Sequence, residues 1–267
     1  MRIVPLRRDA LAVGGPDAES FLQGQCSQDV AALGMGENRW ALLLSPQGKL
    51  EALVRVTRTG EDAFVVDTDG GWGEAVAARL NRFKLRVKVD VTLLDWRSVA
   101  VRGAGPRPHA AGAELVLDYR WNGVAGFDVL GPDPVVELPV DDGRWEPERI
   151  AAGIPLMGAE LDDSTISAEI DGLNQRCVSF TKGCYTGQEL VARLDSRGNK
   201  VARHLRTLLL SAPAPAGTEI MADGAEVGSL TSSAGMVALG YVHRKVAPGD
   251  TVTVAGAPAE VRALPVG

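Results

Sequence analysis

Apolar positions recur with two different spacings along the first part of the chain. Residues 40–57, "WALLLSPQGKLEALVRVT", have a Pro-Gln-Gly-Lys turn between two apolar stretches, which predicts a β-hairpin. Residues 72–83, "WGEAVAARLNRF", have apolar residues at helical spacing and predict an amphipathic helix. Residues 85–91, "LRVKVDV", alternate strictly and predict a strand with its four apolar side chains on one face. Strands and a helix in this order predict an α+β unit with an antiparallel sheet.

Turn residues and capping patterns mark further elements. Asp17 precedes a short helical pattern and is the predicted N-cap residue of a helix. Residues 124–132 predict a strand, and residues 146–155, "EPERIAAGIP", predict a helix that glycine and proline end. Beyond residue 203, short apolar runs alternate with Gly, Pro, Asp and Ser, without a good helical pattern. This part therefore predicts a small all-β barrel or sandwich.

The composition is that of a folded protein and limits the classes of ligand and site that we expect. Of 267 residues, 45% are hydrophobic and 23% are charged, and the formal net charge is −6, which argues against broad nucleic-acid binding. Since no run of about 18 apolar residues occurs, we expect a cytoplasmic protein without a membrane segment. The three cysteines form no CxxC pair and the three histidines are scattered, so neither a disulfide framework nor an intrinsic metal site is expected.

Most of the candidate catalytic and binding residues lie in one stretch, "TKGCYTGQELVARLDSRG", residues 181–198. Thr186 and Glu189 fit a capping box, with Thr186 as the N-cap residue of a helix. Cys184 would then lie beside a helix N-terminus, whose partial positive charge, together with Lys182, favours a reactive thiolate. A lone cysteine can equally be an inert apolar residue, and both interpretations stay open.

Four stretches together resemble one known family. "KGCYTGQE" (182–189) resembles the signature of the YgfZ family, which are folate-binding proteins of the glycine-cleavage T-protein (GcvT) superfamily, related to mitochondrial IBA57. "FLQGQCSQDV" (21–30), "SPQGKLEA" (45–52) and "ERIAAGIP" (148–155) resemble other segments of the same family. The resemblance implies a role in the assembly or repair of iron–sulfur proteins, and a link to tRNA modification.

The resemblance also implies an architecture. It predicts an α+β, GcvT-like fold with two interleaved ferredoxin-like parts and a C-terminal all-β barrel around a central hole. The implied ranges are 1–45 with 114–200 for a folate-binding domain, 46–113 for a second α+β domain, and 201–267 for the barrel. Tetrahydrofolate, or a one-carbon derivative, would occupy the hole. Iron–sulfur proteins would be clients of a monomer that makes no direct contact with nucleic acid.

Residue roles follow from the same resemblance. Lys182 and Cys184 match the functional positions of the signature and are the predicted catalytic residues. Glu169 is the match for a carboxylate that holds the pterin ring, whose amino-pyrimidine edge suits a carboxylate. The other predicted cofactor contacts are Tyr185, Gln188, Glu189 and Arg193.

One departure from the family's enzymes bears on the reaction. Aminomethyltransferases resemble one another in a Gly-Gly-x-x-Asp-Asp stretch, whereas residues 47–52 read Gln-Gly-Lys-Leu-Glu-Ala. Glu51 would place its carboxylate differently from an aspartate, or it is simply an exposed residue of the hairpin. Three functions stay open: a tetrahydrofolate-dependent factor for iron–sulfur proteins, a folate-dependent aminomethyltransferase or demethylase, and a non-catalytic folate-binding module.

Overall fold

A computed structural model describes residues 1–266, in which antiparallel sheets dominate and the helices are short. The strands are β1 Arg2–Val4, β2 Arg8–Gly14, β3 Asn38–Leu44, β4 Leu50–Arg58, β5 Ala63–Asp69, β6 Asp90–Leu93, β7 Arg97–Arg102, β8 Leu115–Trp121, β9 Val124–Gly131, β10 Arg203–Leu210, β11 Glu219–Ala222, β12 Ala225–Ala234, β13 Val237–His243, β14 Thr251–Val254 and β15 Ala257–Arg262. The helices are α1 Ala18–Gln25, α2 Gly73–Phe83, α3 Trp145–Ala151, α4 Leu173–Cys177 and α5 Gln188–Ser196, with a 3₁₀ helix at Ser167–Glu169.

A five-stranded sheet in the order β3–β4–β5–β2–β6 contains the predicted hairpin and lies beside the predicted helix. β3 and β4 form the hairpin, and its turn closes where the Gly48 N–H donates to the Ser45 carbonyl at 2.8 Å. α2 begins directly after Trp72 and buries Val76 and Leu80, as the apolar spacing predicts. Both local predictions are confirmed.

The alternating segment 85–91 is mostly not a strand, so this prediction is wrong: β6 begins only at Asp90. The Lys88 N–H donates to the Asp17 carboxylate at 2.7 Å, and the Lys88 carbonyl accepts from the Asp17 N–H at 3.3 Å. These bonds hold the segment against the start of α1, where Asp17 occupies the predicted N-cap position. Leu85 is 78% exposed, whereas Val89 is buried and Val87 and Val91 pack against the main core, so the alternation marks a buried face only from residue 87 onward.

A four-stranded sheet in the order β1–β7–β9–β8 joins the first strand to strands much later in the chain. Paired charges connect it to the five-stranded sheet, because Arg8, Asp67, Arg55, Asp128 and Arg102 form a continuous series of buried ion pairs. Buried charges are tolerated when they are paired in this way. Burial by itself would raise the pKa of Asp128, but Arg102, Arg55 and Arg8 outweigh burial and lower this pKa to about 2.

The last six strands close into a barrel in the order β10–β13–β12–β11–β14–β15, which confirms the predicted C-terminal module. A register shift between Leu230 and Ser232 of β12 brings two adjacent hydroxyls, those of Thr231 and Ser232, to one oxygen of Glu160. They donate to it at 2.8 and 2.5 Å, and Arg149 of α3 lies 3.2 Å from the other oxygen. The buried Glu160 carboxylate therefore ties the barrel to α3.

The predicted α+β class with a C-terminal barrel is confirmed, and the helix predicted within 146–155 is α3. The domain ranges stay a prediction; the expected boundary between residues 45 and 46 lies in the turn of the paired strands β3 and β4. Within residues 1–266, no helix has the length and apolar character needed to cross a bilayer.

Candidate functional site

The predicted capping box of the cysteine segment is not formed, so this prediction is wrong. α5 begins at Gln188, and Gly187 occupies the N-cap position with φ 82°. The Thr186 N–H donates to the Gly24 carbonyl of α1 at 3.0 Å, and Glu189 is exposed. A backbone contact with another helix therefore decides where this helix starts, and local capping does not.

Two glycines let the signature segment approach the hairpin turn. A Cβ on Gly187 would lie 2.5 Å from the Ser45 carbonyl oxygen and 2.7 Å from Leu44 Cβ. A Cβ on Gly48 of the turn would lie 2.4 Å from Leu190 Cβ of α5. Both glycines have positive φ, which other residues adopt at a cost. The motifs "SPQGK" and "KGCYTGQE" therefore pack directly on each other.

The Lys182 ammonium binds backbone carbonyls at the end of α1. Its Nζ donates to the carbonyls of Gln23, Cys26 and Gln28 at 2.5, 2.7 and 3.0 Å. A cation at a helix C-terminus satisfies carbonyls that have no partner within the helix. Burial lowers the pKa of Lys182, with Cys26 and Asp29 opposing the shift. Lys182 is thus a structural clamp between the signature and α1, because its ammonium is hydrogen-bonded to backbone carbonyls.

Cys184 is exposed, whereas Cys26 and Cys177 are buried. Burial raises the pKa of the Cys26 thiol to about 11, against the opposing effect of Lys182 and Arg79. Burial also raises the pKa of Cys177. Since α5 begins only at the fourth residue after Cys184, the expected support from a helix N-terminus is not formed. What the fold provides is access to this thiol.

The Tyr185 ring is half-buried beside the clamp, with Lys182 Nζ 5.1 Å from its centre. Burial raises the pKa of Tyr185 to about 12, so the phenol stays neutral. The Gln188 side chain accepts the Tyr185 N–H at 3.1 Å and fixes the end of the loop. Tyr185 therefore presents an uncharged aromatic surface in a fixed position.

Glu169 is buried in the 3₁₀ helix and forms an ion pair with Arg203 of the barrel. Arg203 Nε lies 3.1 Å from one carboxylate oxygen, and Nη2 lies 3.3 Å from the other. The Arg203 guanidinium lies 4.1 Å from the centre of the Tyr241 ring. Sequence reasoning missed Arg203, since no local pattern relates the first barrel strand to the 3₁₀ helix.

Glu51 also has an arginine partner, which the sequence analysis did not anticipate. Arg79 of α2 forms an ion pair with Glu51 and donates to the Gln25 side chain at 2.7 Å and the Leu44 carbonyl at 3.0 Å. Arg79 is 4% exposed. A signal was present, because Arg79 occupies the apolar stripe of an otherwise amphipathic helix.

The fold brings most of these groups into one region. The Leu50 N–H donates to the Thr165 carbonyl at 2.9 Å, and α5 packs beside the 3₁₀ helix, so the hairpin, the 3₁₀ helix with Glu169 and the signature are neighbours. Arg193 is exposed on α5 and makes no side-chain bond within the described residues 1–266. Its predicted contact with a cofactor stays a prediction.

Two families of known domains match this chain. Residues 9–120 match the GCVT N-terminal domain, and residues 202–265 match the C-terminal β-barrel domain of CAF17. A glycine cleavage system aminomethyltransferase T from Bartonella henselae has the same fold, with a TM-score of 0.75 and 21% identity over 97% of this chain and 83% of that one. The fold and the site thus define a GcvT-like protein with a C-terminal barrel.

Proteins of similar sequence indicate which GcvT-like proteins this chain resembles. The "tRNA-modifying protein YgfZ" of Enterobacter sp. is 28% identical over 74% of this chain and 69% of its own length. An "iron-sulfur cluster assembly factor IBA57 homolog, mitochondrial" of Neurospora crassa is 29% identical over 81% of this chain. The chain spans 55% of that relative's length. The chain thus carries a GCVT N-terminal domain and a CAF17-type C-terminal barrel and is similar to proteins named YgfZ and IBA57, in agreement with the resemblance of the four sequence stretches.

Proposed function

We propose that this protein is a tetrahydrofolate-binding factor for the assembly or repair of iron–sulfur proteins and that Cys184 is its reactive thiol. The observation that carries the proposal is the exposure of Cys184 in a loop fixed by Lys182 and Gly187. A thiol reacts only where its partner can reach it. Two relatives, named as an iron–sulfur cluster assembly factor and a tRNA-modifying protein, support a role of this kind.

Glu169 and Arg203 fit the edge of a pterin. A carboxylate beside a guanidinium offers an acceptor next to a donor, and the amino-pyrimidinone edge of a pterin offers donors next to a carbonyl oxygen. The Arg203 side chain is 37% exposed and that of Glu169 is 6% exposed. The arginine is therefore accessible from solvent, while the carboxylate that holds it is buried. Tyr185 would supply an apolar surface for the ring. Bound tetrahydrofolate would supply a carrier for a one-carbon unit.

The aminomethyltransferase alternative has less support. It would need a free carboxylate near the hairpin, and Glu51 forms an ion pair with the buried Arg79. An assay of folate-dependent methylene transfer, with wild type and Glu51→Gln, separates the two functions. Turnover that Glu51→Gln abolishes would favour the aminomethyltransferase.

The thiol is tested with Cys184→Ala in a strain that lacks the native protein. We expect this variant to lose rescue of iron–sulfur enzyme activity, while Thr181→Ala, a change at an exposed residue of the same segment, keeps it. A maleimide should label only Cys184 in the native protein and all three cysteines after unfolding, because the other two are buried. Full rescue by Cys184→Ala would reject a role for the thiol and favour a non-catalytic binding module.

Folate binding is tested by titrating the purified protein with tetrahydrofolate and following tryptophan fluorescence. We expect Glu169→Gln to weaken binding about tenfold or more, because the charged acceptor is lost. Asp163→Asn is the matched control, since Asp163 is exposed nearby in the chain and makes no side-chain bond within residues 1–266. Absence of binding by the wild type would reject the folate part of the proposal.

A further inference from the structure

An apolar cavity lies at one end of the interface between the two antiparallel sheets. Its volume is about 560 Å³, within the range of about 300–1,000 Å³ that is usual for small-molecule sites. The five-stranded sheet contributes the end of β2 and the start of β5, and the four-stranded sheet contributes Leu115 of β8. Leu94 and Trp96, between β6 and β7, complete the wall with Met35, which is 66% exposed. The cavity therefore belongs to the gap between the sheets.

Small residues explain why the interface is open at this end. At the opposite end, β2 and β5 pair Arg8 with Asp69, beside the buried ion pairs. Apolar residues of both sheets pack together in the middle: Ala10, Val65, Leu117 and Leu130. At the open end β2 and β5 pair Gly14 with Ala63, and both line the cavity. Because packed sheets lie about 10 Å apart, these two residues cannot reach the other sheet. The cavity is thus the unfilled end of a core, which an apolar ligand would extend.

The lining has one charged side chain, Glu114, that no described residue neutralises. The other charged residue of the lining, Arg58, is paired with Glu19 at 2.7 Å and donates to three backbone carbonyls. Glu114 is exposed and forms no ion pair and no side-chain hydrogen bond within residues 1–266. The bordering β4–β5 turn adds two exposed carboxylates that also form no such bond there, Glu61 and Asp62. The opening of the cavity is therefore acidic.

The cavity lies far from the signature segment. β4 runs from Leu50, beside the hairpin turn, to Arg58, which lines the cavity. An extended strand rises about 3.3 Å per residue, so the distance from residue 50 to residue 58 is about 26 Å. None of the residues proposed to hold folate lines the cavity. A ligand bound here would therefore occupy a second site, and the inference does not depend on the proposed function.

We propose that this cavity binds a small, flat apolar molecule that carries an amine. A gap between two sheets suits a flat ring system, and the apolar lining with Trp96 favours burial of such a ring. A protonated amine would place its charge beside Glu114 at the opening. Since exposed ion pairs are individually weak, the apolar part supplies most of the affinity. The amine then decides which apolar ligands are preferred.

The experiment titrates the full chain with three naphthalene probes that differ in one group. At pH 7, 2-naphthylmethylamine is a cation, 2-naphthylmethanol is neutral and 2-naphthoate is an anion. Binding is followed by NMR of the Trp96 indole N–H, which Trp96→Phe assigns. We expect the amine to bind with a Kd of about 0.1–1 mM. It should bind about threefold more tightly than the alcohol, and the anion should bind most weakly.

Two pairs of variants locate the site and its charge. Ala63→Leu, which fills the gap, should lose binding of all three probes, whereas Ala225→Leu, at an exposed alanine of the barrel, should keep it. Glu114→Gln should remove the preference for the amine over the alcohol. Asp118→Asn removes the same charge from an exposed residue of β8 outside the lining and should keep the preference. Thermal unfolding at the wild-type midpoint shows that each variant is folded.

The refuting outcomes are separate for the cavity and for the ligand. An unchanged Trp96 signal with every probe, or binding that survives Ala63→Leu, overturns the cavity as a binding site. Equal affinity for the three probes, or a preference that Glu114→Gln leaves intact, overturns the amine. Displacement of the amine by tetrahydrofolate would join the cavity to the folate site and overturn the inference of a second site.

Discussion

Lys182→Met tests whether the signature lysine is a structural clamp. Methionine keeps most of the length and apolar character of the side chain and removes the ammonium that binds the carbonyls of Gln23, Cys26 and Gln28. A hydrogen bond from a charged donor contributes about 1.5–3 kcal/mol. Because the site is half-buried and water can replace part of the interaction, we expect the free energy of unfolding to fall by about 2–4 kcal/mol in total. The midpoint of thermal unfolding should fall by about 5–15 °C.

The control and the refuting result are equally specific. Lys49→Met changes an exposed lysine of the neighbouring turn that makes no side-chain bond within residues 1–266, and should alter stability by less than about 0.5 kcal/mol. Lys182→Arg keeps the charge, but its planar fork cannot meet three convergent carbonyls equally well, so its stability should be intermediate. If Lys182→Met unfolds like wild type yet loses rescue activity, the ammonium acts in the chemistry and the clamp is refuted.

Three further predictions concern the frame of the site. The pKa of Asp128 is lowered in the folded protein, so its carboxylate contributes stability above the unfolded pKa of about 4, and this contribution is lost as pH falls toward 2. Acid titration followed by circular dichroism should show this decline. Asp128→Asn, although less stable at pH 7, should show a shallower decline. Gly187→Ala should lower the free energy of unfolding by about 2–4 kcal/mol because its Cβ meets backbone, whereas Gly183→Ala, with nothing within 4 Å, should be nearly neutral in the same urea melt. Glu160→Ala removes the acceptor of the Thr231 and Ser232 hydroxyls and one of the two carboxylates beside Arg149, and should cost about 2–4 kcal/mol. Hydrogen exchange in β12 should become faster; unchanged exchange there would contradict the barrel anchor.

Much of the fold is predictable from short stretches. The Pro-Gln-Gly-Lys turn between apolar runs predicts the β3–β4 hairpin, the apolar spacing from Trp72 predicts α2, and the turn-rich end predicts the barrel. Each signal depends on residues that are neighbours in sequence. The failure at 85–91 has the opposite cause, because contacts with Asp17, distant in sequence, replace the partner strand that alternation requires.

The candidate site also combines features that a local motif indicates with features that depend on distant contacts. Its motif identifies Lys182 and Cys184 as special, but the Lys182 partners lie more than 150 residues away in the chain. Folding brings Arg203 to Glu169 and Arg79 to Glu51, and no local pattern relates the members of either pair. The capping-box prediction fails because contacts with distant segments, the Gly24 carbonyl at Thr186 and the hairpin turn at Gly187, set where α5 begins.

The sequence alone indicated the β3–β4 hairpin, α2, the barrel, the family resemblance and the residues that carry candidate chemistry, because periodicity, turn residues and motifs act over a few positions. The tertiary structure decided which charges are paired, which cysteine is accessible and where α5 begins. Those properties depend on burial and on contacts between distant segments, and no local pattern encodes which distant groups will meet.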